Sequence, residues 1–93
     1  MGFEVKEIQA TPNPNAVKFV LDGEITGRPV SFLNPEEGKG HPLASQLFSI
    51  GGVTSVLLLG DFVTINKDPD VKWESITRNV QEILKKTPEG VDY

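Results

Sequence analysis

Two strand-like runs, Val53 to Leu59 and Phe62 to Lys67, flank the dipeptide Gly60-Asp61, and this arrangement constrains the fold more than any other stretch of the sequence. A glycine in a two-residue connection can adopt the backbone that joins antiparallel strands tightly, so the run predicts a hairpin. The first third of the chain reads as strands as well, because apolar residues recur at every second position between turn-forming clusters. Phe3 and Val5 begin one strand, and Thr11-Pro12-Asn13-Pro14-Asn15 stops it. Each proline there removes a backbone donor and disfavours helix in the residue before it, while Asn side chains bond to nearby backbone. Val17, Phe19 and Leu21 share one face of a second strand, opposite Ala16, Lys18 and Val20, and Asp22-Gly23 ends it. A third strand follows Gly27, with Val30 and Phe32 on its inner side.

Helical spacing appears twice. Pro42 suits a first helical position, Leu43, Leu47 and Ile50 fall on one stripe, and Gly51-Gly52 can end the helix. The polar, glycine-rich run Asn34 to Gly40 before it is predicted to be a loop. After the hairpin, Asp68-Pro69-Asp70 is placed to cap a helix whose apolar positions are Trp73, Ile76, Val80, Ile83 and Leu84. Asp68, Asp70 and Glu74 lie near its positive end and Lys85 and Lys86 near its negative end, as the helix dipole favours. Residues 87–93 are expected to form a flexible tail. The order βββαββα predicts one α+β domain over residues 1–93. It has two layers: a mostly antiparallel sheet of about five strands, with two helices packed on one face. The other face is then open. Leu57, Leu58 and Leu59 are apolar toward both sides of their strand, so that face either meets a partner or is covered by loops or termini.

Composition narrows the function classes. A chain of 93 residues has room for one modest core and no deep, walled site, so function is expected on a face or a loop. Thirteen acidic residues against nine basic ones give a net charge of -4, which removes the attraction that drives binding to nucleic acid or to anionic membranes. Neither is expected as a partner. The absence of Cys excludes disulfides, thiolate metal sites and thiol nucleophiles in these residues. Met1-Gly2-Phe3-Glu4 lacks the basic start and apolar run of a signal peptide. Lys6 stands where a myristoylation pattern wants Ser or Thr, and Val56 to Leu59 is too short to span a bilayer. A cytoplasmic protein is expected.

Catalytic chemistry has thin candidates. His41 is the only histidine and stands before Pro42 without a partner at a telling spacing; a cap or loop role outranks catalysis there. No G-x-S-x-G elbow is present, and Ser45, Ser49 and Ser55 lack an adjacent base. Asp68 and Asp70 give two oxygens of a D-x-D pattern and read as helix-capping acids. Gly38-Lys39-Gly40-His41 lacks the first glycine and the Ser or Thr of a phosphate loop. The stiff turn Thr11 to Asn15 is either a recognition element or a well-made turn that sets strand register. Trp73 and Phe62, on adjoining elements, read as core, with the indole N–H reaching the surface.

Three segments carry a resemblance: Thr11-Pro12-Asn13-Pro14-Asn15-Ala16-Val17-Lys18-Phe19; then Pro42-Leu43-Ala44 with Leu47-Phe48, Ile50 and Gly52-Val53; then Asp61-Phe62-Val63-Thr64-Ile65 with Lys67 and Trp73. Together, over residues 3 to 86, they resemble the N-terminal domain of Nfu-type iron–sulfur cluster scaffold proteins. The resemblance implies an α+β fold and a non-catalytic domain that precedes a separate module whose C-x-x-C binds the cluster. Two departures stand out. The chain has no Cys, and His41 replaces the Ser that usually precedes Pro-Leu-Ala, which removes a good capping side chain.

The leading expectation is a non-enzymatic interaction module that serves cluster assembly or delivery by contacting a cluster carrier or client protein. It has no catalytic residue, no metal ligand and no cofactor of its own. Asn13, Asn15, Lys18 and Arg28 are the predicted contact residues, and the state is a monomer or weak homodimer. The alternative is a regulatory domain that binds a small ligand or phosphopeptide in a shallow groove near Arg28 and Lys18.

Overall fold

The computed structural model describes residues 2–93. Five strands, β1 (Val5–Ala10), β2 (Ala16–Leu21), β3 (Thr26–Phe32), β4 (Val53–Gly60) and β5 (Phe62–Lys67), form one sheet in the order β1-β2-β5-β4-β3. Every neighbouring pair is antiparallel. Three helices, α1 (Pro35–Gly38), α2 (Ala44–Phe48) and α3 (Trp73–Lys85), complete the α+β fold. The predicted hairpin forms, with Leu59 opposite Phe62 and Gly60 at φ 56°.

The alternation read from the sequence decides which face is covered. Phe19 and Leu21 of β2, Val56 and Leu58 of β4, and Val63 and Ile65 of β5 are buried against Leu43, Leu47, Ile76, Val80 and Leu84 from the helical layer. Burying a side chain of this kind fully is worth about 1.5–3 kcal/mol, so this one interface supplies most of the driving force for folding. Gly52 closes the turn before β4 at φ 98°, and a Cβ there would meet the Val71 side chain at 2.8 Å. That position requires glycine on both counts.

Five local expectations differ from the structure. Pro35–Gly38 is a short helix where a loop was predicted, because the Asn34 side chain accepts the Glu37 N–H at 3.0 Å and caps it. Strand β3 begins at Thr26, before Gly27, and Phe3 lies outside β1, its N–H donating to the Leu84 carbonyl at 2.8 Å. Asp68 does not cap α3: its carboxylate accepts the Asp70 N–H at 2.9 Å, and the capping position is Lys72, which makes no side-chain bond. Residues 87–93, expected to be a flexible tail, lie against the body of the protein. The Tyr93 N–H donates to the Ile25 carbonyl at 3.0 Å, its hydroxyl donates to the Pro88 carbonyl at 2.8 Å, and its side chain is buried. This terminal aromatic helps to dock the segment, and no periodicity signals it.

Candidate functional site

The sheet face opposite the helices carries a row of apolar side chains. Val20 of β2 stands opposite Phe62 of β5, and Phe62 stands opposite Leu59 of β4, with Leu57 one pleat along. All four alternate with core residues and are half-buried, and none belongs to the core cluster. No helix among the described residues covers them. Lys18 lies over the Phe62 ring with Nζ 4.1 Å from its centroid, so its aliphatic stem shields the ring while its charge stays at the surface. Glu7 and Gln9 of β1, paired with Val20 and Lys18, and Ser31 of β3, paired with Leu57, form polar margins. An apolar centre with a polar rim is the anatomy of a protein-binding patch.

The stiff turn is tied inward. The Thr11 hydroxyl lies 2.9 Å from the carbonyls of both Asn13 and Ala16 and accepts the Asn13 N–H at 3.1 Å. The Asn13 side-chain oxygen accepts the Asn15 N–H at 2.9 Å, and that of Asn15 accepts from Lys67 Nζ at 3.3 Å. The Trp73 indole N–H donates to the Pro14 carbonyl at 3.1 Å, which ties the β1–β2 connection to the start of α3. Lys67 is 8% exposed, with a second bond to the Asp68 carbonyl at 3.2 Å and the Trp73 ring 5.6 Å away. Sequence reasoning missed this lysine, whose burial follows from neighbours distant in the chain.

Of the predicted contact residues, Asn13 and Asn15 thus hold the turn, Lys18 stands on the open face, and Arg28 lies on the far strand β3. Lys18 and Arg28 are on strands separated by β5 and β4, a span of roughly 14 Å at the usual strand spacing. They do not line one groove. Arg28 instead meets Asp92 at 3.4 Å. Asp92 also accepts the Gly27 N–H at 3.0 Å; this bond, helped by the Thr26 hydroxyl and the Arg28 charge, holds its carboxyl below the usual 3.8. Burial pushes the Tyr93 phenol above its ordinary value.

His41 is built into the frame. Its Nδ1 accepts the N–H groups of Leu43 at 3.2 Å and Ala44 at 3.0 Å, and its carbonyl accepts the Ser45 N–H at 3.1 Å. The imidazole therefore caps the first turn of α2, which corrects the expectation that replacing Ser removes the cap. With Nδ1 accepting, the neutral ring carries its proton on Nε2, which donates to the Tyr93 main-chain oxygen at 2.7 Å. Among the described residues, no three of His, Asp and Glu gather closely enough to hold a metal ion.

Comparison with known proteins follows the same lines. The profile of the family described as "Scaffold protein Nfu/NifU N terminal" matches residues 5–89. A Drosophila persimilis protein named NFU1 iron-sulfur cluster scaffold homolog, mitochondrial, is 34% identical over 80 residues, covering 84% of this chain and 28% of its own length. NifU-like protein 4, mitochondrial, of Arabidopsis thaliana is 38% identical over 74 residues, covering 73% of this chain and 24% of its own. The solution structure of a NifU-like protein from Saccharomyces cerevisiae superposes with a TM-score of 0.79 at 33% identity, over 91% of this chain and 77% of that one. A Staphylococcus aureus crystal structure shares the fold at a TM-score of 0.73 and 23% identity, over 86% of this chain and 96% of that one. This chain spans about a quarter of the length of the named scaffold relatives, 28% and 24%.

Proposed function

This chain belongs to the Nfu and NifU N-terminal scaffold family, and from that premise we propose that it is a non-enzymatic interaction module serving iron–sulfur cluster assembly or delivery. The names of its relatives support a part in cluster biology. The chain has no Cys, and thiolates are the usual cluster ligands. The cluster is then cargo on another module, and the task of this domain is to meet that module or the protein that receives the cluster. The open face carries this reading, because Val20, Leu57, Leu59 and Phe62 form a continuous apolar row that no described element covers. Lys18 completes that contact surface, while Asn13 and Asn15 shape its end through the turn. The domain acts as a monomer or weak homodimer. The cytoplasmic placement read from the sequence stays part of this proposal, set against relatives named as mitochondrial.

The test titrates the isotope-labelled chain with a separate cluster-carrying C-x-x-C module and follows the amides by NMR. Shifts confined to β2, β4 and β5 are expected, with Leu59→Glu and Phe62→Glu each weakening binding by about tenfold or more, as central interface residues do. Neither side chain is in the core, so both variants should keep the fold, which circular dichroism checks. Equal binding by wild type and both variants would remove the open face as the contact surface.

A further inference from the structure

The two edges of the sheet are not alike. At β3, Pro29 has no N–H, the register with β4 shifts between Thr26 and Val30, and the Gly27 N–H is already taken by Asp92 at 3.0 Å. Such features stop an edge strand from accepting a further neighbour. At β1 the only irregularity lies at its start, where the register with β2 shifts between Val5 and Glu7. Glu7 to Ala10 pair regularly with β2, and no described strand lies on their other side. Ile8, 44% exposed, is the one strand residue among the exposed large hydrophobic side chains.

The ladder fixes which backbone groups of β1 face outward. The Asn15 carbonyl accepts from Lys67 and the Leu21 N–H donates to the Asp61 carbonyl, so the odd-numbered residues of β2 bond toward β5 and the even-numbered ones toward β1. Lys18 and Val20 are paired with Gln9 and Glu7. The N–H and C=O groups of Ile8 and Ala10 therefore point away from the sheet.

We infer that β1 pairs with β1 of a second copy of this chain, antiparallel about a two-fold axis at Ile8, to form a weak homodimer. An axis perpendicular to the sheet passes through a residue rather than between two, because side chains alternate in facing along a strand. Charge and strand length choose the residue. Centred on Lys6 or on Glu7, the pairing sets like charges directly opposite each other, which is unfavourable. Centred on Gln9, it runs past the end of β1 into Thr11 and Pro12 and parts the two Ile8 side chains. Centred on Ile8, the two copies of that residue exchange both backbone bonds, their exposed side chains meet, and Glu7 of each copy faces Gln9 of the other. The same two groups already bond within one chain, where Gln9 Nε2 donates to Glu7 Oε1 at 3.0 Å. The regular stretch is short, so the contact is small and the dimer weak. This inference rests on the homodimer side of the reading above and not on the cluster role. The axis leaves both open faces on the same side of a continuous sheet, so the dimer offers two such faces next to each other and uses neither.

The experiment is sedimentation equilibrium of the 93-residue chain, with amide NMR on the same samples. Concentrations run from about 10 μM to 1 mM, where small interfaces associate. The average mass is expected to rise toward the dimer, with concentration-dependent shifts centred on Lys6 to Ala10 and growing hydrogen-exchange protection of the Ile8 amide. Gln9→Glu sets a carboxylate against Glu7 of the other copy twice and should weaken association by about tenfold. Adding Glu7→Gln to Gln9→Glu restores both the pairing and the original net charge, and should recover the association. Glu7 and Gln9 lie outside the core, and circular dichroism checks that both variants fold. Leu59→Glu, which the scaffold reading expects to lose its cluster-carrying partner, should self-associate as the wild type does. A chain that stays monomeric throughout, shifts centred on Leu57, Leu59 and Phe62 instead, or a double variant as weak as Gln9→Glu would each overturn the β1 contact. The titration with the C-x-x-C module decides the scaffold reading separately.

Discussion

Asp92 and Tyr93 fasten the C-terminal segment by opposite chemistry. The Asp92 carboxyl is lowered below 3.8, first by the Gly27 N–H, then by the Thr26 hydroxyl and the Arg28 charge. A lowered carboxyl stabilises the docked form above its ordinary value and stops doing so as pH falls through the lowered one. The Tyr93 phenol is raised above 10.0 by burial, so its share is present below that value and lost as pH rises through the raised one. The Gly27 amide resonance should therefore move with a midpoint below 3.8 on acidification, and Asp92→Asn should remove that step. A midpoint at or above 3.8 would show that the carboxylate is not held as the geometry requires. The sequence marked Arg28 for a contact but not its partner, because Asp92 lies 64 positions away and no local pattern links them. His41 was legible as a cap candidate from its place before Pro42; that an imidazole could cap and clamp at once needed the Tyr93 position as well.

Among the elements, β4 separates core from surface within three consecutive leucines. Leu58 is fully buried, while Leu57 and Leu59 look out from the opposite face. Leu58→Ala should cost about 2–5 kcal/mol, and Leu57→Ala well under half of that, read as the shift in urea midpoint at constant slope. Similar losses at the two positions would mean that the outer face is covered. Period-two alternation made β2, β4 and β5 readable, and the Gly60-Asp61 signal located the hairpin. Helix ends were read less well. A single capping turn carries no periodicity, so Asn34 gives no signal in the sequence, and an Asp can bond the backbone two residues on instead of capping, as Asp68 does. The inward bonds of Asn13 and Asn15 show why a stiff turn is ambiguous in sequence: the same side chains suit recognition and register setting, and only the positions of Lys67 and Trp73 reveal which bonds they make.

At the scale of the whole molecule, the scaffold role predicts where a cluster resides. Anaerobic reconstitution of this chain alone with iron and sulfide should leave no stable visible absorbance after desalting. In a mixture with a C-x-x-C module, the chromophore should travel with that module. A cluster retained by this chain on its own would require ligands other than thiolates and would overturn the division of labour proposed above. Neither the sheet order nor the open face is a property of one segment: alternation and the number of helices point to an open face, while the strand order is visible only in the structure. That order also governs how the protein is made. β2 and β3 follow each other in the chain, yet β5 and β4 separate them in the sheet. Until the β4–β5 hairpin has been translated, β2 and β3 each lack the sheet neighbour that the native order gives them. The first half of the protein thus spends its synthesis with apolar strand surface exposed, and the fold is completed from its middle, by the residues translated late.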